Sequence, residues 1–307
     1  TAWAVFGHLS YDVSDAVTIS GGLRYTDDEK DMTATNPPIF PITPQNVSDD
    51  QVSGDISALF RVSDEFSVYG RYARGFRAPT IQGRDVAFFA NPSIADSETI
   101  DSIEAGFKSF LADNRVRLNG SVYYYEVKDM QLSAIGGAGN LNQVINADQG
   151  TGVGFDLDGE FLLTDRLLLT AGFSYNDTEI EDNQLVVAPC GSTLCTVLDP
   201  LDGSGRAIID GNPFPQAPEY IATVTARYGL PVGDAGEFFV FTDWALQGDT
   251  NFFIYEATEF KSSDTYEGGL RMVARTGTGH EIVMDDGKGD TGARPTALLL
   301  AALGACT

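Results

Sequence analysis

The sequence predicts an all-β fold, an antiparallel transmembrane β-barrel, and three observations lead to this prediction. Apolar and polar residues alternate along many segments, which is the period of a strand with one apolar and one polar face. The connections alternate between a few residues and about 15–30 residues, as expected for tight turns at one end of an outer-membrane barrel and long external loops at the other. Tyrosines also fall near predicted strand ends, where aromatic belts meet the membrane interface; they are Tyr25, Tyr72, Tyr124 and Tyr175.

The predicted strands follow one another as hairpins from the first residues onward. Residues 3–11 and 17–25 alternate on either side of the turn VSDA, and residues 52–60 and 66–72 do so on either side of VSDE. Later alternating segments bring the total to about eleven predicted strands; they include residues 116–124, 153–161, 167–175, 220–228 and 238–246. The long connections are predicted at residues 33–50, 77–97, 132–148 and 183–215.

A soluble β-sandwich or soluble barrel would show the same alternation in any single hairpin, so this alternative stays open. The length of the strands, the aromatic strand ends and the Asp, Glu and Arg residues on the polar face all favour the membrane barrel.

Charge and composition exclude several classes of protein. With 44 Asp and Glu against 19 Lys and Arg, the formal net charge is −25, so a nucleic-acid partner is not expected because phosphate binding needs clustered cations. No apolar run reaches the roughly 18 residues of a transmembrane helix. The three cysteines and two histidines are scattered, so neither a metal site nor a cofactor is expected.

One stretch identifies a family. VYGRYARGFRAPTIQGRD, residues 68–85, precedes ADSETIDSIEAGFK and an aromatic strand that ends in DMQ. These segments, in this order, resemble the barrel of TonB-dependent outer-membrane receptors. The resemblance places the first motif at the barrel rim: Tyr72, Arg74, Gly75, Phe76, Arg77, Ala78 and Pro79. The second motif contains Glu98, Glu104, Gly106, Lys108, Asp129 and Gln131.

The resemblance covers residues 1–270, which defines a predicted receptor-barrel domain. It implies a protein of the outer membrane of a Gram-negative bacterium, in contact with the lipid of that membrane, and not an enzyme. Family receptors enclose a plug in a barrel of about 22 strands. They take up a scarce nutrient, such as a ferric siderophore, cobalamin or a saccharide, with the TonB–ExbB–ExbD system. Because about 10–11 strands and no plug are recognised, the chain is expected to be a partial barrel that does not transport alone.

The arginines of the motif have two interpretations. A charge at the bilayer midplane costs roughly 2–4 kcal/mol, so the arginines are expected at the rim or in the lumen. There they would either form ion pairs with lumenal carboxylates or bind an anionic ligand such as a ferric siderophore. The alternation predicts that Arg71 faces the lumen.

Cys190 and Cys195 lie in the longest predicted loop, as CGSTLC. Four intervening residues allow a small disulfide-closed loop, which the oxidising cell envelope permits. Two free thiols and a metal-binding pair are the alternatives.

Residues 271–307 break the barrel pattern and predict a short non-barrel α/β tail. The segment ARPTALLLAALGAC resembles the N-terminal part of OsmC-like proteins, and Cys306 matches their peroxide-attacking thiol. The rest of that fold is not recognised, so Cys306 is expected to be inactive. The alternative function is an OsmC-like thiol-dependent hydroperoxide reductase with an unusual extension, which solubility without detergent together with peroxide turnover would favour.

Overall fold

A computed structural model describes residues 1–33, 42–88, 90–191, 194–233, 236–276 and 281–285. In chain order the strands are β1 (Ala2–Ser14), β2 (Val17–Met32), β3 (Gln45–Arg61), β4 (Phe66–Arg77), β5 (Thr80–Gln82), β6 (Ser93–Ala95), β7 (Glu98–Leu111), β8 (Val116–Gly136), β9 (Leu141–Thr164), β10 (Leu167–Glu181), β11 (Val186–Val187), β12 (Ala207–Ile208), β13 (Tyr220–Pro231), β14 (Gly236–Gln247), β15 (Thr250–Asn251), β16 (Lys261–Ser262), β17 (Thr265–Thr276) and β18 (Glu281–Asp285). Short 3₁₀ helices span Arg84–Phe88 and Thr258–Phe260. No helix among the described residues is long and apolar enough to cross a membrane.

Twelve strands form one antiparallel sheet in the order β1-β2-β3-β4-β7-β8-β9-β10-β13-β14-β17-β18. Each strand pairs with the next one in this order, so the sheet is a meander of hairpins. We call this twelve-stranded sheet the wall. Eleven of these strands correspond to the predicted barrel, and the short β18 adds a twelfth by pairing with β17. Within the described ranges β1 pairs only with β2 and β18 only with β17, so the sheet is open. The predicted all-β, partial antiparallel barrel is confirmed.

The connections alternate in length as predicted, with differences in two of them. β3 begins at Gln45, inside the loop predicted at residues 33–50. Short turns join β1 to β2, β3 to β4, β7 to β8 and β9 to β10, and longer segments emerge at the opposite end. The loop predicted at residues 132–148 is instead the tip of a long hairpin, because β8 and β9 extend to 21 and 24 residues. Their ladder continues to Gly136 opposite Leu141, and a turn containing Gly137 and Asn140, both with positive φ, closes it.

The sheet has two faces of opposite character. The register places Tyr72, Ile103, Tyr124 and Val153 side by side on one of them, which we call the apolar face. Large side chains on this face are exposed, including Leu23 at 69% and Val122 at 59%. The other face, which we call the polar face, carries cross-strand pairs such as Arg117 with Glu160, whose Nη2 and Oε1 atoms lie 2.6 Å apart. A barrel that puts its apolar face towards lipid has this arrangement.

At the long-loop end, residues 182–191, 194–219 and 248–264 form a compact body, which we call the loop cap. Its core combines side chains from both segments with the ends of β8, β9 and β10. The buried core residues are Leu132, Ala147, Ile180, Val187, Ala207, Ile209, Ile254, Tyr255 and Ala257. The loop cap is therefore a packed structure rather than a set of separate loops.

The predicted domain division at residue 270 falls inside β17, which runs from Thr265 to Thr276. The division itself stays a prediction. Most of the predicted OsmC-like tail, including Cys306, lies outside the described residues.

Candidate functional site

The rim motif lies where β4 leaves the sheet. Tyr72 and Arg74 are on the apolar face, opposite Ile103 and Asp101 of β7. Gly75 and Arg77 face the polar side, and Ala78 and Pro79 follow the end of the strand. The structure therefore divides the motif between the two faces of the wall.

Each arginine of β4 lies beside a carboxylate. Arg71 is on the polar face, with its Nε 3.5 Å from Oδ2 of Asp55. The Nη1 of Arg74 lies 3.1 Å from Oδ2 of Asp101. The Nη2 of Arg77 lies 3.3 Å from Oε1 of Glu98. The pairs of Arg71 and Arg77 fit the ion-pair interpretation better than a ready-made anion site in the lumen. Arg74 differs from the expectation, because its ion pair with Asp101 lies on the apolar face and not in the lumen.

Gln131 connects the two motifs. Its buried side chain donates from Nε2 to the carbonyl oxygens of Ala78 and Asp96, at 2.9 Å each, and accepts from the Thr80 hydroxyl at 2.9 Å. The backbone N–H of Gln131 donates to Oε2 of Glu98 at 2.6 Å. We call this arrangement the Gln131 clasp. It fixes both ends of the β4–β7 connection against β8, so the family motif has a structural role here.

The middle of the β4–β7 connection is held against the long hairpin. Ser93 accepts from the backbone N–H of Val144 at 2.8 Å, and Asp85 accepts from that of Asn142 at 2.9 Å. The described part of the connection is therefore held at Asp85 and Ser93 as well as at its ends.

A pocket of about 380 Å³ opens on the polar face below the loop cap. Two tyrosines of β8, Tyr123 and Tyr125, form one wall, with ring centroids 6.2 Å apart. Their hydroxyls donate to Oδ1 of Asn176 at 3.3 and 3.5 Å. The other lining residues are Asp156, Ser174, Ala217, Pro218 and Ile221. We call this the polar-face pocket; it offers aromatic surface together with hydroxyl, amide and carboxylate groups.

Glycines of β9 make room for these tyrosines. A Cβ at Gly152 would overlap the ring of Tyr125, and one at Gly154 would lie 2.6 Å from Oη of Tyr123. The rings therefore lie flat against the neighbouring strand. Sequence analysis missed this pocket, although a Gly-x-Gly run on one strand and a Tyr-x-Tyr run on the next are a usable signal.

The loop cap is cross-linked by covalent and polar contacts. Cys190 and Cys195 form a disulfide, with their Cα atoms 5.2 Å apart. The backbone N–H of Thr196 donates to Oε2 of Glu259 at 2.7 Å, which lowers the pKa of that carboxyl. Burial raises the pKa of Asp199, which accepts from the backbone N–H of Glu256 at 2.8 Å. Both hydrogen bonds join the two segments of the loop cap.

Among the described residues, no group of three or more His, Cys, Asp and Glu side chains is arranged to hold a metal ion.

Comparison with known proteins gives consistent results. Residues 1–277 match the family described as TonB dependent receptor-like, beta-barrel. The chain is 30% identical over 167 residues to the pesticin receptor of Yersinia pestis, a match that covers 52% of this chain and 23% of the relative. It is 24% identical over 199 residues to the probable TonB-dependent siderophore receptor PiuA of Acinetobacter baumannii, covering 63% of this chain and 25% of the relative.

Solved structures share the fold. The ferric yersiniabactin uptake receptor FyuA of Yersinia pestis superimposes with a TM-score of 0.69 at 18% identity, covering 92% of this chain and 39% of that one. The siderophore receptor PiuA gives a TM-score of 0.68, also at 18% identity, covering 92% and 38%. The chain thus spans about a quarter of the curated relatives by sequence and less than two fifths of these structures.

Proposed function

We propose that this chain, which belongs to the TonB-dependent receptor β-barrel family, forms part of the outer-membrane wall of a receptor that takes up an iron chelate in a Gram-negative bacterium. Two relatives support the ligand class, since one is named as a ferric yersiniabactin uptake receptor and another as a siderophore receptor. The role is binding and transport, without a chemical reaction on the ligand.

The polar-face pocket is the observation that carries the proposal. It lies on the face that a barrel turns inward, beside the start of β13 and beneath the loop cap. A chelate that passes the loops would meet Tyr123 and Tyr125 on this wall. Aromatic rings supply contact area at low entropic cost, and the polar groups beside them would orient a ligand.

The proposal includes partners beyond this chain. A plug domain would fill the lumen and connect the receptor to the TonB–ExbB–ExbD system, and lipid would surround the apolar face. The polar face is suited to a protein plug because it carries paired charges such as Arg227 with Glu237, whose Nη2 and Oε2 atoms lie 2.7 Å apart. By itself the chain is proposed to lack transport.

The test uses the full-length receptor in a strain that lacks its own receptors for the chelate, with ferric yersiniabactin as the first probe. We expect iron uptake by the wild type, and a Kd for the chelate that rises about tenfold in Tyr123→Ala or Tyr125→Ala. Tyr124→Ala is the matched control because it removes the same side chain between them, from the apolar face.

Two results would contradict the proposal. Failure of the wild-type receptor to bind or import any ferric chelate would exclude the function. An equal loss of affinity in Tyr124→Ala would mean that the tyrosines support the wall rather than the ligand.

A further inference from the structure

The polar-face pocket lies in a part of the wall that carries carboxylates and no cations. Four strand segments surround the pocket, and none of them contains Lys or Arg. They are residues 119–125 of β8, 152–158 of β9, 172–178 of β10 and 221–223 of β13. On their polar face they carry Asp156 and Asp158. An anionic group of a ligand would therefore find repulsion and no ion pair here.

The neighbouring cations of the polar face are engaged elsewhere. The Nζ of Lys108 lies 5.7 Å from the ring centroid of Tyr69. The Nη2 of Arg117 lies 2.6 Å from Oε1 of Glu160. Arg71 lies two strands away from the pocket and already has a carboxylate partner. None of these side chains lines the pocket, so its carboxylate is not neutralised by the described part of the wall.

The hydroxyl protons of the pocket are donated to the wall itself. Tyr123 and Tyr125 donate to Oδ1 of Asn176 at 3.3 and 3.5 Å. The Ser174 hydroxyl donates to Oδ1 of Asp156 at 2.5 Å. Asp156 is exposed, and its Oδ2 has no hydrogen bond or ion pair among the described residues. Among the lining side chains, these bonds leave the amide Nδ2 of Asn176 as a donor and the hydroxyl and carboxylate oxygens as acceptors, which favours a ligand group that donates.

We propose that the polar-face pocket binds a positively charged ammonium or guanidinium group at the edge of the iron chelate, and that Asp156 determines this preference. The inference rests on the proposed function, because it assumes that the chelate binds beside Tyr123 and Tyr125. The cationic group donates to Oδ2 of Asp156 and lies against the faces of the two rings.

Three properties of the pocket support this ligand class. A carboxylate accepts charge-assisted hydrogen bonds from ammonium and guanidinium groups. The faces of tyrosine rings attract cations, and two such rings form one wall of the pocket. Ala217, Pro218 and Ile221 add an apolar side that suits the carbon atoms carrying the charged group.

The test measures the Kd of the full-length receptor for three ferric chelates that differ in one end group. Ferrioxamine B ends in an ammonium group, its N-acetyl derivative is neutral at that position, and its N-succinyl derivative ends in a carboxylate. All three hold iron through the same hydroxamate groups, so a difference in Kd reports the charge of the end group. We expect the wild type to bind ferrioxamine B roughly tenfold more tightly than the N-succinyl derivative, with the N-acetyl derivative between them.

Asp156→Asn keeps the size of the side chain and removes its charge. It is expected to bring the Kd values for ferrioxamine B and the N-succinyl derivative to within about twofold of each other. The matched control is Asp158→Asn, which removes a carboxylate from the same face of β9 but outside the pocket lining. The control is expected to keep most of the tenfold ratio. Because the ratio compares two ligands on one protein, a partly folded sample does not change it.

An unchanged ratio in Asp156→Asn would overturn the proposal, since another cation of the receptor, such as one from the plug, would then already neutralise this carboxylate. An equal loss of the ratio in Asp158→Asn would overturn it as well, because the preference would belong to the whole face. Binding of ferric yersiniabactin without detectable binding of ferrioxamine B would contradict the charge preference and leave the proposed function standing. Failure of every chelate to bind would contradict both.

Discussion

The sheet wall exposes its large apolar side chains, whereas the loop cap buries them in a core. On the wall, Val122 is 59% exposed and Ile56 is 57% exposed, whereas Ile209 and Ile254 of the loop cap are almost completely buried. The wall satisfies its backbone by strand pairing and leaves its large side chains for lipid. The loop cap instead has its own core, as a protein in water does. The chain therefore has one region suited to lipid and one suited to water. The boundary between these two regions lies at the ends of the strands.

Removing a core side chain from the loop cap is expected to have the largest effect. Ile209→Ala leaves a cavity among Ile180, Ile254 and Tyr255 and should cost about 2–5 kcal/mol of local stability. The measurement is hydrogen exchange of the full-length receptor, followed separately for peptides from the loop cap and from the strands. The difference between the regions predicts faster exchange in the loop cap and unchanged exchange in β2 and β3.

Leu198→Ala is the control for this change, because Leu198 belongs to the same loop cap but is 54% exposed. It should cost less than about 1 kcal/mol. If Ile209→Ala opened the strands as well, the wall and the loop cap would form one cooperative unit and the comparison would fail.

A charge on the wall is expected to have the next largest effect. Val122→Arg places a cation on the apolar face of β8, where lipid is expected, and should cost about 2–4 kcal/mol of barrel stability in a bilayer. Ser121→Arg is the control, since the adjacent residue of the same strand faces the polar side. Urea unfolding of the receptor in liposomes measures both variants. Equal destabilisation would mean that the two faces have been assigned the wrong environments.

Period-two alternation was sufficient to predict the wall, because each strand residue alternates faces whatever its distant partners are. It therefore placed Arg71 on the polar face correctly. It did not predict that residues 132–148 continue the strands, since a Gly- and Asn-rich segment is typical of a loop unless its pairing partner is known. The loop-cap core and the contact of Phe214 with Tyr125, at 6.4 Å between ring centroids, depend on residues far apart in sequence. Such contacts have no local period and need the three-dimensional structure.

The Gln131 clasp lies where the wall meets the external connections, and its removal should give the smallest of the three effects. Gln131→Ala leaves the carbonyl oxygens of Ala78 and Asp96 without their side-chain donor, which should cost about 1–3 kcal/mol. Hydrogen exchange is expected to rise in residues 78–97 and to stay unchanged in the lower half of β8. Gln143→Ala is the control, because Gln143 is an exposed glutamine on the neighbouring β9. Unchanged exchange in residues 78–97 would show that contacts such as that of Ser93 with Val144 hold this connection without Gln131, and the family motif would then need another explanation.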